Sequence, residues 1–322
     1  MGATYSMFKE TFPPKPKWSV DQIPNLTGQV TLVTGGNAGI GKETIKALLN
    51  KGAKVYLAGR SKSKADEAIE WLKAETGGKS PVFLQLDLAD LNSVRRAVDE
   101  FKQKEDRLDI LFNNGGVMTP PIEMKTLTDY DIQFGTNVLG HYLLTVLLLP
   151  VLIHTAQISP RKHARVINLS SVGHWSAPKN GVDYSVLTPN DPDSEARRRK
   201  MGIQALYAQS KWANIAFSNE LARRYASQGI ISISVHPGII QTELQRHLTL
   251  GTIDQALLNW IMRPASYGAL TSLYAGTAPE AESFSGQYFI PWARHSKSRA
   301  DTHDEALGKK LWAWLEEQVE LN

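Results

Sequence analysis

The chain has 322 residues, 42% of them hydrophobic, no cysteine and a formal net charge of +4. Such a length and apolar share specify a globular chain with a well-buried core, and the missing thiol excludes disulfides and thiolate metal sites. The small positive charge does not suggest a nucleic-acid surface; its densest run, Arg197-Arg198-Arg199-Lys200, lies beside acidic and proline-rich sequence and reads as a solvated loop face.

Residues 1–27 are proline-rich with scattered aromatics (Phe8, Phe12, Trp18) and read as an arm lying along a domain surface. They do not resemble a signal peptide. Lys9 and Glu10 come early, Pro13, Pro14 and Pro16 follow, and no apolar stretch appears. A cytoplasmic protein is the expectation. From Gln29 the pattern changes to short β-branched runs alternating with helical periodicity. Strands are expected at Val30 to Val33, Lys54 to Ala58, Val82 to Leu86 and Asp109 to Phe112, with helices at Lys42 to Lys51, Ser63 to Glu75 and Asn92 to Lys104.

Thr128 to Ile153 reads as largely helical. Its longest apolar run, Leu143 to Ile153, is too short to span a bilayer and is interrupted by Pro150, so it reads as a buried helix and no integral membrane segment is expected. A strand at Arg165 to Leu169, the helix carrying Tyr207 and a strand at Ile231 to Val235 complete the alternation. The pattern specifies an α/β protein with a single-domain Rossmann fold, a parallel sheet covered by helices on both faces. The organisation expected is an arm at 1–27, a dinucleotide-binding and catalytic domain at 28–295 and a C-terminal helical extension at 296–322.

Three local patterns carry chemistry. Thr34-Gly35-Gly36-Asn37-Ala38-Gly39-Ile40-Gly41 lies between a strand and a helix, where glycines let the backbone turn tightly and approach a pyrophosphate at a helix N-terminus. The second strand ends Gly59-Arg60-Ser61. It has no acid for a ribose 2′-hydroxyl, whereas Arg60 offers a planar cation suited to a 2′-phosphate, so NADP is the expected cofactor. Tyr207 and Lys211, four apart, share one helix face, and an ammonium beside a phenol favours the phenolate that acid–base chemistry uses.

The ordered set of the glycine turn, Asn113-Asn114-Gly115-Gly116, Asn137, Ser171, Tyr207-x-x-x-Lys211 and Pro237-Gly238 with Thr242 resembles the short-chain dehydrogenases/reductases over about residues 28 to 295. Asp87-Leu88, Asn168-Leu169-Ser170-Ser171 and Ser285-Gly286-Gln287-Tyr288-Phe289 look most like the retinol dehydrogenase-like branch. The resemblance implies a catalytic set of Asn137, Ser171, Tyr207 and Lys211. It also implies that Gly35, Asn37, Gly39, Ile40 and Gly41 cradle the cofactor and that Asp87 and Leu88 meet its adenine. Asn114, Gly115 and Gly116 would lie beside it, and Pro237, Gly238, Ile239 and Thr242 would hold the nicotinamide end. Tyr207 would pass the proton while Lys211 lowers its pKa and holds the nicotinamide ribose. Asn137 would position a water that resupplies protons. Ser170, on the opposite face of the strand from Ser171, would be structural.

The chain departs from that pattern twice. Gly115 stands where alanine is usual, a small loss of packing, and the segment Pro178 to Gly202 adds length between Ser171 and Tyr207 that must loop out at the substrate mouth. The stretch His247 to Pro264 is apolar and reads as a substrate cover, which suggests a lipophilic or aromatic aldehyde, ketone or alcohol. His154, His163, His174, His236 and His247 lack metal-ligand spacing, and no metal is expected. The expected partner is thus a small-molecule carbonyl or alcohol substrate; a homodimer is left open. The competing function is a catalytically silent NADP-binding sensor or scaffold, disfavoured because tyrosine and lysine are both present.

Overall fold

The computed structural model describes residues 2–247 and 261–320. Eight strands form one sheet in the order β3-β2-β1-β4-β5-β6-β7-β8. They are β1 (Val30–Thr34), β2 (Lys54–Gly59), β3 (Val82–Gln85), β4 (Ile110–Asn113), β5 (Ala164–Leu169), β6 (Ile230–Val235), β7 (Tyr288–Ile290) and β8 (Arg294–Ser296). All neighbouring pairs are parallel except β7 with β8. Successive strands are added outward to one side as far as β3 and then to the other from β4, so the direction of winding reverses between β1 and β4.

Strand alternation divides the core into two layers. Leu32, Tyr56 and Leu111 face one cluster, completed by α4 (Leu91–Lys104), α6 (Gly140–Ile158) and α8 (Ile203–Tyr225). Val33, Leu57 and Phe112 face the other, with α2 (Gly39–Asn50), α3 (Lys62–Glu75) and α9 (Ala265–Thr277). The C-terminal helix α10 (Glu305–Glu320) buries Leu311, Trp312, Leu315 and Val319 in the first layer.

Several expectations need correction. The apolar run Leu143 to Ile153 belongs to a longer helix than its own length suggested, with Pro150 inside it. Ile132–Ile158 runs continuously through a three-residue α5 (Ile132–Phe134), a π-turn (Gly135–Leu139) and α6, long and apolar enough to cross a membrane but mostly buried in the fold. Leu148, Leu149 and Leu152 are buried on both sides of the proline, and that burial outweighs the lost hydrogen bond.

The segment Pro178 to Gly202 is not an open loop. It holds a 3₁₀ turn (Tyr184–Val186) and α7 (Pro192–Met201), and it sends Val182, Val186 and Leu187 into the core. The arginine run lies on α7, and Arg198 is 1% exposed, donating to Ser194 Oγ at 2.9 Å. Its neighbours do remain at the surface, where Arg199 pairs with Glu123 and Glu195. The arm is also more than a surface strap: Glu10, in the last turn of α1 (Gly2–Thr11), is fully buried.

Candidate active site

The carboxyl ends of β1 and β4 meet where the winding reverses, the place at which open α/β sheets take their ligands. The glycine turn fills that point. Gly35 and Gly39 hold φ of +64° and +49°, backbone that side chains with a Cβ resist. At Gly41 the constraint is space. A Cβ there would lie 2.4 Å from the Gly35 carbonyl oxygen and 2.7 Å from Asn114 Nδ2.

The second strand end interlocks with the first through Thr34. Its Oγ1 accepts from the backbone N–H groups of Asn114 (2.9 Å) and Gly115 (2.8 Å), while Asn114 Nδ2 donates to the Thr34 carbonyl at 2.8 Å. Asn114 thus ties the strand end beside the cofactor turn. Gly115 leaves no void, contrary to expectation, because a Cβ there would already meet Leu88 Cδ1 at 3.0 Å and Thr34 Oγ1 at 3.3 Å. Leu88 takes up the space. Asp87 holds the turn after β3, accepting from Ala89 N–H at 3.0 Å.

The other predicted contacts gather around the same crevice. Asn37 Oδ1 sits 3.2 Å from the place a Gly59 Cβ would occupy, so the glycine turn touches the end of β2. Arg60 is exposed and has no partner among the described residues, and Ser61 caps α3 by accepting from Lys64 N–H at 3.4 Å. The Thr242 methyl comes within 3.0 Å of a Cβ placed on Gly39, which brings the Pro237–Thr242 loop over the turn. Ile40 packs with Ile240, and Ile239 accepts from Arg263 N–H at 3.0 Å. Of the expected substrate cover, residues 248–260 lie outside the described residues.

At the reacting end, Tyr207 and Lys211 lie one turn apart on α8, 7% and 5% exposed. Lys211 Nζ donates to the Leu169 carbonyl at 3.1 Å and stands 5.7 Å from the Tyr207 ring centre. A Cβ placed on Gly173 would lie 3.4 Å from Tyr207 Cε1 and 3.5 Å from Ser171 Oγ, so the serine and the phenol face one another. Ser170 Oγ instead donates to the Lys211 carbonyl at 2.7 Å and fixes α8 against β5.

Burial pushes the Tyr207 phenol up to about 12 against the opposing effect of the Ser171 hydrogen bond. Burial also pushes Lys211 down to about 8. Desolvation is the largest influence on the phenol in this structure.

Asn137 is fully buried and its side chain is committed. Oδ1 accepts from Val117 N–H at 2.8 Å, and Nδ2 donates to the Val117 carbonyl at 3.0 Å and to Ser210 Oγ at 3.1 Å. The amide clamps the chain beyond β4.

His141 was not among the predicted site residues, yet it joins the two halves of the site. Nδ1 lies 3.1 Å from the Asn137 carbonyl and Nε2 lies 2.8 Å from Thr34 Oγ1. A carbonyl can only accept, so Nδ1 carries the proton and Nε2 accepts from the threonine hydroxyl. Burial holds this imidazole neutral, its pKa pushed down to about 4. A histidine four residues after Asn137 on one helix face was the signal that could have revealed it.

A short chain dehydrogenase family profile matches residues 29–186 and 193–252, its gap falling inside the added segment. A short-chain dehydrogenase/reductase of Armillaria gallica is 54% identical over 318 residues, covering 99% of each chain. Retinol dehydrogenase 12 of Mus musculus is 36% identical over 292 residues, covering 90% of this chain and 85% of its own. The Pseudomonas aeruginosa RhlG/NADP active-site complex superposes with a TM-score of 0.63 at 26% identity, covering 83% of this chain and 95% of that one. A sheet that reverses at a glycine turn, and kinship along nearly the whole length, lead to one conclusion: the chain belongs to the short-chain dehydrogenase/reductase family of oxidoreductases, in its retinol dehydrogenase-like branch.

Proposed function

We propose that the protein is an NADP(H)-dependent oxidoreductase for a lipophilic or aromatic aldehyde, ketone or alcohol, with Tyr207 as its general acid–base. One observation carries the reading: a buried phenol faced by the Ser171 hydroxyl, with Lys211 one turn further along the same helix. The residues present fit a dinucleotide. Gly35, Gly39 and Gly41 leave the glycine turn bare of side chains, and the end of β2 offers Arg60 and Ser61 without an acid at Gly59. The first would accept the pyrophosphate and the second a 2′-phosphate. Bound there, the nicotinamide supplies or accepts the hydride.

The protein's own groups handle the proton. With a pKa near 12, Tyr207 is protonated at neutral pH and donates to the carbonyl oxygen in reduction; Ser171 donates a second hydrogen bond to that oxygen. Lys211, even with its pKa lowered to about 8, keeps a positive charge at neutrality beside the ring that must lose a proton. The test is NADPH oxidation against a panel of apolar aldehydes and ketones. Turnover with members of the panel is expected; NADPH binding without turnover of any of them would instead support the silent sensor.

A further inference from the structure

The arm before β1 carries an unusual contrast. Tyr5, Phe8 and Phe12 are 65%, 61% and 47% exposed, whereas the carboxyl group of Glu10 between them is fully buried. A carboxylate is buried only when partners replace its water. Here Oε1 accepts from Trp175 Nε1 and Oε2 from the Tyr288 hydroxyl, each at 2.9 Å. Arg294 adds favourable charge and donates to the Lys9 carbonyl at 2.9 Å. Burial nonetheless pushes the Glu10 carboxyl up to about 7.

These partners lead to the reacting end of the site. Trp175 belongs to the 3₁₀ turn (Val172–Ser176) that Ser171 caps. His174 packs against both Trp175 and Tyr288, and its Nδ1 donates to the Ser171 carbonyl at 2.7 Å. Glu10 therefore fastens the arm to the turn that sets Ser171. The next three residues, Thr11, Phe12 and Pro13, line a cleft of about 180 Å³, opposite Ile239, Trp292 and Arg263. Ile239 lies in the loop that covers the glycine turn, so the cleft opens beside the cofactor crevice, while Glu10 ties the same arm to the turn that sets Ser171.

We propose that Glu10–Pro13 form a wall of the substrate pocket, with Phe12 setting specificity for the apolar part of the substrate and Glu10 as the positioning residue that holds the wall. This rests on the oxidoreductase reading and deepens it. The substrate class is a carbonyl compound whose aromatic or branched apolar group extends away from the reacting carbon to meet Phe12, Ile239 and Trp292.

The test compares an extended aryl aldehyde, 4-phenylbenzaldehyde, with butanal in the full-length protein. Phe12→Ala should lower the ratio of kcat/KM for the aryl aldehyde to that for butanal by roughly tenfold, mostly through KM, since losing part of an apolar contact costs about one decade or more. Glu10→Ala should lower the same ratio, while Glu10→Gln, which keeps the shape and one acceptor, should restore most of it. NADPH affinity in each variant checks that the cofactor site is intact. Equilibrium binding of 4-phenylbenzaldehyde, followed by tryptophan fluorescence, runs in parallel. Binding that weakens in Phe12→Ala when no variant or wild type turns over upholds the wall and refutes the oxidoreductase reading. A ratio and a binding constant both unmoved by Phe12→Ala overturn the wall.

Discussion

Replacing Gly41 with alanine isolates the space that the cofactor turn leaves for a ligand. Gly41 is helical, so the new methyl carries no left-handed backbone strain, and helix propensity favours the change by up to about 1 kcal/mol. The methyl would stand 2.4 Å from the Gly35 carbonyl oxygen, and its other close neighbour is Asn114 Nδ2. Neither can swing aside freely, because Asn114 Nδ2 is held by the Thr34 carbonyl at 2.8 Å. Relief requires the turn itself to move by about 1 Å, and overpacking of this kind costs roughly 1–3 kcal/mol.

The same shift carries N–H donors away from the pyrophosphate. Losing one hydrogen bond to a charged group, worth about 1.5–3 kcal/mol, weakens binding about ten- to a hundredfold. The assay is NADPH Kd from nicotinamide fluorescence, together with the urea midpoint. Gly77→Ala serves as the control: Gly77 has φ +64° and nothing within 4 Å of a new Cβ, so it strains backbone without crowding any site. An NADPH Kd within about twofold of wild type in Gly41→Ala would refute the placement of the pyrophosphate on this turn.

Three further outcomes are expected. Tyr207→Phe keeps the ring but removes the transferable proton, so NADPH binding should persist while kcat falls by ~10²–10⁴; retention of more than about a tenth of kcat sinks the general-acid role. Arg60→Ala should weaken NADPH roughly ten- to a few hundredfold and leave NADH nearly unchanged, given ~1.5–3 kcal/mol for each bond to the 2′-phosphate; equal losses for both cofactors remove Arg60 as the discriminator. Acid should destabilise the fold, because burial holds His141 and His174 at about 4 and His236 at about 3, so the unfolded chain binds more protons as pH drops below ~6.5. Glu10, raised to about 7, opposes this by keeping its proton when folded, so Glu10→Gln should steepen the fall in urea midpoint between about pH 7 and 5; a shallower fall contradicts the sign.

The cofactor crevice was legible because its residues are set by local rules: a strand, glycines at fixed offsets and a helix must turn in one way. The tyrosine–lysine pair was legible for the same reason, being one helical turn. Burial was harder to read. Arg198 looked solvated because its run is charged, yet Ser194 one turn earlier gives it a partner inside the fold. The phenol's upward shift follows from desolvation, which pairwise spacing along a helix cannot supply. Glu10 was least visible of all, since its partners Trp175 and Tyr288 are 165 and 278 residues away.

Those separations bear on how the protein is made. The arm emerges from the ribosome before any of the sheet, but the Tyr288 hydroxyl that Glu10 requires follows 278 residues later. At roughly 5–20 residues per second, the delay is on the order of tens of seconds. During that interval the Glu10 carboxyl lacks its Tyr288 partner and keeps its water. The glycine turn and the first half of the sheet can assemble meanwhile. Nascent protein can thus acquire its glycine-turn crevice well before the arm docks on Tyr288.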